Sequence, residues 1–308
     1  MTDGAWIMLT GSLVGVSCAL VGSFLVLRRL AMLGDAISHS VLLGIVLAFM
    51  LTASRNTIPM LIGAGAVGVL TAFLTDILTR QGKLQSDAAI GVTFTWLFAV
   101  GVILVSRYAS QIDLDVDCVL HGEILYTPFD TVTMGGRGLG PRAVWMLGGV
   151  TLLNLIVIGF GYKQFKICAF DPALAATVGV NVTLWHYVLM GLVSLSTVAS
   201  FESVGAILVV AMLIVPPNTA YLLTDRLSVM IALACFFGVA SAIGGYGLAY
   251  MIDGSIAAAM AVVSGAFFVL AALLSPSHGL LGRLLGRRVA GGASSGPADV
   301  EGPAATFS

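Results

Sequence analysis

Apolar residues along this chain fall into long blocks separated by short polar breaks. The blocks are Trp6–Leu27, Ala31–Leu51, Ile58–Leu78, Ala88–Val105, Val144–Phe160, Val182–Phe201, Val204–Leu223, Leu227–Tyr250 and Ile256–Leu274. Each holds roughly 17–25 residues, enough to cross a hydrocarbon core about 30 Å thick. Lipid offers no partner to a backbone N–H or C=O, so each block must be helical. The pattern predicts an all-α, polytopic bundle of nine spans, with eight as the fallback if a short block is re-entrant. The first block is too long for a removable signal peptide, and lacks its charged start and cleavage site.

Composition agrees. Of 308 residues, 58% are hydrophobic and only 9% charged, and the mean hydropathy is +1.04. A soluble domain carries about 25% charged residues to cover its surface, so this chain must be solvated by lipid. Basic residues then set the orientation. With the N-terminus outside, Arg28, Arg29, Arg80, Lys83, Lys163, Lys166, Arg226, Arg283, Arg287 and Arg288 face the cytoplasm, against Arg55, Arg107, Arg137 and Arg142 outside. The C-terminus is therefore expected inside. Cys18, Cys118, Cys168 and Cys235 form no C-x-x-C pair, so neither a zinc finger nor a disulfide framework is indicated. No basic patch points to nucleic acid.

Three stretches lie outside the blocks. Ser106–Arg142 is an outward loop, acidic in its first half (Asp113, Asp115, Asp117, Glu123, Asp130) and read in its second, "GGRGLGPR", as a turn-rich connector. Lys163–Val182 is cytoplasmic. Within it Asp171 followed by Pro172 reads as a helix cap and first turn, and Gly179 as its stop. This short helix either docks a partner or only joins two spans. The chain after Pro276 is rich in Gly, Ala, Ser and Pro; residues 1–278 are expected to form the membrane domain and 279–308 a disordered cytoplasmic tail.

Ionisable groups inside apolar blocks are costly and mark function. Asp35 and His39, in "LGDAISHSVLLG", stand four residues apart and share one helix face. A carboxylate with an imidazole suits Mn²⁺ or Zn²⁺, and a second copy across a dimer axis would make four ligands. The alternatives are an Asp–His hydrogen bond that supports packing, or an Asp35 lying in the membrane interface beside Arg28 and Arg29. Asp117 and His121 repeat the spacing in the outward loop, beside Cys118, where solvated acids are the simpler reading and a metal relay or closure the other. Glu202, where the sixth and seventh spans meet before Gly205, is either a gate or accessory ligand, or the exposed end of a helix. His186, after Trp185, reads as an interfacial anchor and His278 as surface. The chain has no G-x-x-x-x-G-K-[ST] and no H-E-x-x-H, so it does not itself cradle ATP phosphates and lacks the commonest metalloprotease motif.

Four segments, "GDAISHSVLLGI", "FDPALAATVGV", "VGAILVVAMLIVPPNTAYLLTDRL" and "GGYGLAYMIDGSIAAAMAVVSGAFFVLAALLSP", resemble in order the membrane permeases of zinc and manganese ATP-binding-cassette importers. The likeness runs from about Gly11 to Pro276. It implies a second permease subunit (a copy or a related chain), two cytoplasmic ATPase subunits, an extracytoplasmic metal-binding protein and a prokaryotic plasma membrane. Asp35 and His39 match the family's metal-coordinating D-x-x-x-H. Asp171, Pro172, Ala175 and Gly179 match its ATPase-coupling helix. "DLDVDCVLHGEILYTP" resembles the outer loop of manganese-type members, as does Glu202 before its break, while His121 departs from the aromatic residue common there. The resemblance implies no resident cofactor and no covalent chemistry: a divalent ion (manganese before zinc, with iron allowed) is moved, and ATP is used by the partner subunit. The competing readings are a proton-coupled secondary metal transporter, a membrane metalloenzyme, and an assembly subunit outside the ion path.

Overall fold

The computed structural model describes residues 3–52, 57–108, 124–125, 127–134 and 137–275. Among them nine helices are long and apolar enough to cross a membrane. They are α1 (Asp3–Leu27), α2 (Ala31–Thr52), α3 (Thr57–Arg80), α4 (Ser86–Tyr108), α5 (Arg142–Phe160), α8 (Val182–Val204), α9 (Ala206–Leu223), α10 (Leu227–Ile252) and α11 (Ile256–Leu274). Each corresponds to one apolar block, so the eight-span fallback is not needed. Two shorter helices, α6 (Tyr162–Phe170) and α7 (Pro172–Thr177), lie between α5 and α8. The tail from 276 onward falls outside the described residues.

Two details differ from the sequence reading. The "GGRGLGPR" connector contains a strand: β2 (Arg137–Pro141) pairs antiparallel with β1 (Thr131–Met134), and the Arg142 amide closes the hairpin onto the Asp130 carbonyl at 2.9 Å. The strand lies outside the apolar blocks, where glycines conceal an extended pairing that depends on a partner segment. The fold remains all-α apart from this ribbon. Residues 163–170, given no local structure in the sequence reading, belong to the helix α6, which buries Phe165 and Cys168 one turn apart.

Inside a bilayer, water does not drive helices together, so close backbone approach must hold them. α1 is the centre of the bundle and packs on α5, α8, α9 and α10. Where it crosses α10, Gly15 and Gly238 meet backbone to backbone, and a methyl on Gly15 would lie 2.8 Å from the carbonyl carbon of Gly238. Gly44 of α2 and Gly63 of α3 repeat the device. A third approach has a different origin. Pro217, inside α9, has no N–H to offer Leu213 four residues back, and the Leu213 carbonyl turns instead against Gly22 of α1. α9, α10 and α11 gather around α1 on one side, while α2, α3 and α4 form a second group with α3 leaning on α8.

Candidate metal site

α2 enters the bundle at Ala31 and places Asp35 on its second turn and His39 on its third. Asp35 Oδ1 and His39 Nε2 lie 3.6 Å apart, and their side chains are 34% and 40% exposed. That distance is too long for a hydrogen bond, and both groups are on one helix, so the pair ties no two helices together. Two ligands about 2.0–2.2 Å from a single ion stand on the order of 3.0–3.6 Å apart for angles between square and tetrahedral. The pair therefore fits one divalent ion with little rearrangement. The Ser38 hydroxyl donates back to the Asp35 carbonyl at 2.6 Å. Two rings of α4 adjoin the imidazole: Phe94, with centroids 5.7 Å apart, and Phe98, in an edge-to-face contact at 6.2 Å. Among the described residues no group of three His, Cys, Asp or Glu side chains gathers anywhere. Among the described residues the pair thus offers two potential ligands, each partly exposed.

Glu202 does not join the pair. It is on the last turn of α8, and α8 crosses in the same sense as α2. Counted at 1.5 Å per residue from each helix start, it stands roughly 18 Å beyond His39. With Ser203 it lines a cavity of about 390 Å³ whose other walls are Thr127, Phe129, Asp130, Arg142 and Met146. Gly205 then adopts φ 79° and ψ 167°, a conformation open almost only to glycine, and α9 starts at the next residue. The helix break read from the sequence is therefore present, at the outer end of the bundle. Asp117 and His121 lie outside the described residues, as does His278.

At the opposite end, Asp171 caps α7: its Oδ1 accepts from the Leu174 amide at 2.9 Å, and Pro172 occupies the first helical position. Ala175 is fully buried. Gly179, at φ 85°, ends the element, and the Val180 amide closes onto the Ala175 carbonyl at 2.9 Å. Phe170, Leu174 and Val178 stay exposed, so a short, firmly capped helix carries an apolar crest away from the bundle.

The comparisons with known proteins bear on this arrangement. The ABC 3 transport family matches residues 5–275, nearly all of the described chain. This chain belongs to the ABC 3 transport family. Within it, the manganese transport system membrane protein MntD of Bacillus subtilis is 55% identical over 285 residues, covering 92% of this chain and 96% of MntD. The zinc transport system membrane protein TroD of Treponema pallidum is 44% identical over 279 residues, covering 91% of this chain and 76% of TroD. Among solved structures, a chain of PsaBC from Streptococcus pneumoniae in complex with Fab superposes with a TM-score of 0.76 at 31% identity, over 94% of this chain and 96% of that one. The protein is a multi-pass permease subunit of an ABC transporter, not an enzyme.

The structure of this ABC 3 permease also holds polar and aromatic packing contacts that the sequence reading did not draw. Asn154 of α5, fully buried, donates to Ser17 of α1 at 3.0 Å and to Ser196 of α8 at 2.7 Å. A lone amide in "TLLNLIVIGF" was the available signal. His186, read as an interfacial anchor, accepts at Nδ1 from the Arg28 guanidinium at 3.4 Å; because arginine only donates, its proton sits on Nε2. Phe165 of α6 wedges between Phe24 and Trp185, with centroids 5.4 and 4.8 Å away. Burial lowers the pKa of Arg28, and burial raises that of the Cys168 thiol even though Arg28 is nearby.

Proposed function

We infer that this permease moves a divalent metal ion inward through the Asp35–His39 site, manganese first, with zinc second and iron third. The observation that carries the reading is an acid and an imidazole on one intramembrane helix face, spaced for one ion and each still partly exposed. A charge in such a place is costly unless it serves a path. The names of relatives at 55% and 44% identity, one a manganese and one a zinc system, support the substrate class and its order.

The complete machine contains a second permease subunit, identical or related, two cytoplasmic ATPase subunits and an extracytoplasmic metal-binding protein, in a prokaryotic plasma membrane. The exposed crest of α7, held by Asp171, Pro172, Ala175 and Gly179, is the surface on which an ATPase subunit pushes. Glu202, the cavity at the outer end, and Asp117 with His121 in the outward loop form the entrance gate. Residues 1–278 are the transport domain, and 279–308 a cytoplasmic extension. The ion is bound from outside, the spans rock, and the same site opens inward.

The test is metal accumulation in cells expressing the whole transporter, with Asp35→Ala and His39→Ala compared with wild type at matched membrane abundance. Both variants are expected to lose uptake while still co-purifying with the ATPase. Undiminished uptake in either would remove that residue from the ion path.

A further inference from the structure

The imidazole of His39 has only one nitrogen directed at Asp35, and nothing on α2 itself holds it there. Residues three and four positions away on the same helix are Ala36, Asp35, Leu42 and Leu43, none of which is a hydrogen-bonding partner for the second ring nitrogen. Among the described residues no hydrogen bond to His39 accompanies the 3.6 Å approach. What the ring does contact is aromatic. Phe94 is tilted by 30° against it at 5.7 Å, and Phe98 meets it edge-to-face, at 77° and 6.2 Å. The two phenylalanines are one helical turn apart on α4, so they form a two-walled slot for one flat ring.

The slot depends on how close α4 comes to α2. Gly101, three residues beyond Phe98, faces Leu43, four residues beyond His39, and a methyl on Gly101 would lie 3.1 Å from the Leu43 backbone nitrogen. Both helices cross in the same direction, so the contacts advance together along the pair. Offset and edge-on ring contacts of this kind favour one orientation of the ring beyond simple burial. Swinging the imidazole to another side-chain rotamer would forfeit both.

We propose that Phe94 and Phe98 are positioning residues for metal transport: they hold the His39 imidazole so that Nε2 and Asp35 Oδ1 address the same ion. In metal sites of known chemistry, ligating histidines are oriented by a hydrogen bond from the other nitrogen; here stacking does that work, and the site stays apolar behind the ligand. The proposal rests on the Asp35–His39 reading and adds its specificity shell. A ring that is free to turn would still bind metal, but with the acid and imidazole no longer acting together, so the loss falls on affinity rather than on turnover.

The experiment uses the complete transporter with its ATPase and metal-binding partners in proteoliposomes. Phe94→Leu/Phe98→Leu is compared with wild type, with Phe94→Tyr/Phe98→Tyr as the aromatic rescue and His39→Ala as the control. The double leucine variant is expected to raise the half-saturating Mn²⁺ concentration on the order of 10-fold with maximal rate little changed, and the tyrosine variant to restore it. On Mn²⁺ held by the purified complex, the nitrogen modulation of a bound imidazole in pulsed electron paramagnetic resonance should weaken in the leucine variant and vanish in His39→Ala. Wild-type half-saturation and full nitrogen modulation in the leucine variant would overturn the proposal alone. Full nitrogen modulation in His39→Ala would overturn the metal-site reading beneath it. A fall in maximal rate with unchanged half-saturation would also count against it, because that outcome marks a packing defect rather than a misdirected ligand.

Discussion

Two polar centres sit within the membrane-spanning bundle, and they are built in opposite ways. Asn154 is sealed from all sides and spends both amide hydrogens on hydroxyls of two other helices, α1 and α8. Asp35 and His39 are half open, face each other on a single helix, and form no hydrogen bond between them. The first joins three helices and has nothing left to offer a solute through its donors. The second joins none and keeps its lone pairs free. In lipid a polar group either finds a protein partner or faces a cavity or path, and these two centres illustrate the two cases.

The largest effect expected from breaking that contrast is at the open centre. Asp35→Ala and His39→Ala should each lower metal uptake by about 100-fold or more, the upper end of what is lost when even an outer-sphere partner is removed, while the yield of folded protein on size-exclusion chromatography stays near wild type. Asn154→Ala should do the reverse. Interhelical hydrogen bonds in membrane proteins average about 0.6 kcal/mol and reach about 1.7, so a loss of about 1 kcal/mol, seen as a lower midpoint of unfolding in mixed micelles, is expected with uptake per folded molecule unchanged. Ser196→Ala, which removes one of the two acceptors, should cost about half as much by the same measurement. The smallest effect is one of access. His39→Cys should react with a small, charged thiosulfonate reagent added to the purified complex, and Asn154→Cys should not; the native Cys168 contributes little background because its buried thiol rarely ionises at neutral pH. Equal labelling of the two introduced cysteines would erase the distinction between sealed and open.

The two centres also differed in how far they could be read from the sequence. Asp35 and His39 were legible because a four-residue spacing of ionisable groups in an apolar block implies one helix face without any tertiary knowledge. The nine spans were legible for a related reason: in lipid, length and the scarcity of charge leave little choice of structure. Asn154 was visible as a residue, but its role depends on α1 and α8 arriving beside it. Phe94 and Phe98 look like ordinary lipid-facing bulk until α4 is seen against α2. The β1–β2 ribbon and α6 were missed where the chain leaves the bilayer, since there polar and small residues permit several local structures and pairing decides among them. The Asp171 cap of α7 was recognised even there, because a cap acts through its own next three residues.

Gly205 carries a mechanical implication. A single residue connects α8 to α9, so the two helices share a pivot with no slack. The cytoplasmic end of α8 is tied almost as tightly: only Val178–Asn181 separate it from α7, and Asn181 caps it through the Leu184 amide at 3.0 Å. Leu213 of α9 in turn presses its side chain on Gly34, next to Asp35. On the proposed reading of α7 and α2, force applied at α7 would run the length of α8, turn at Gly205 and return down α9 to the base of α2. The connection would then work as a folded lever with Gly205 as its fulcrum.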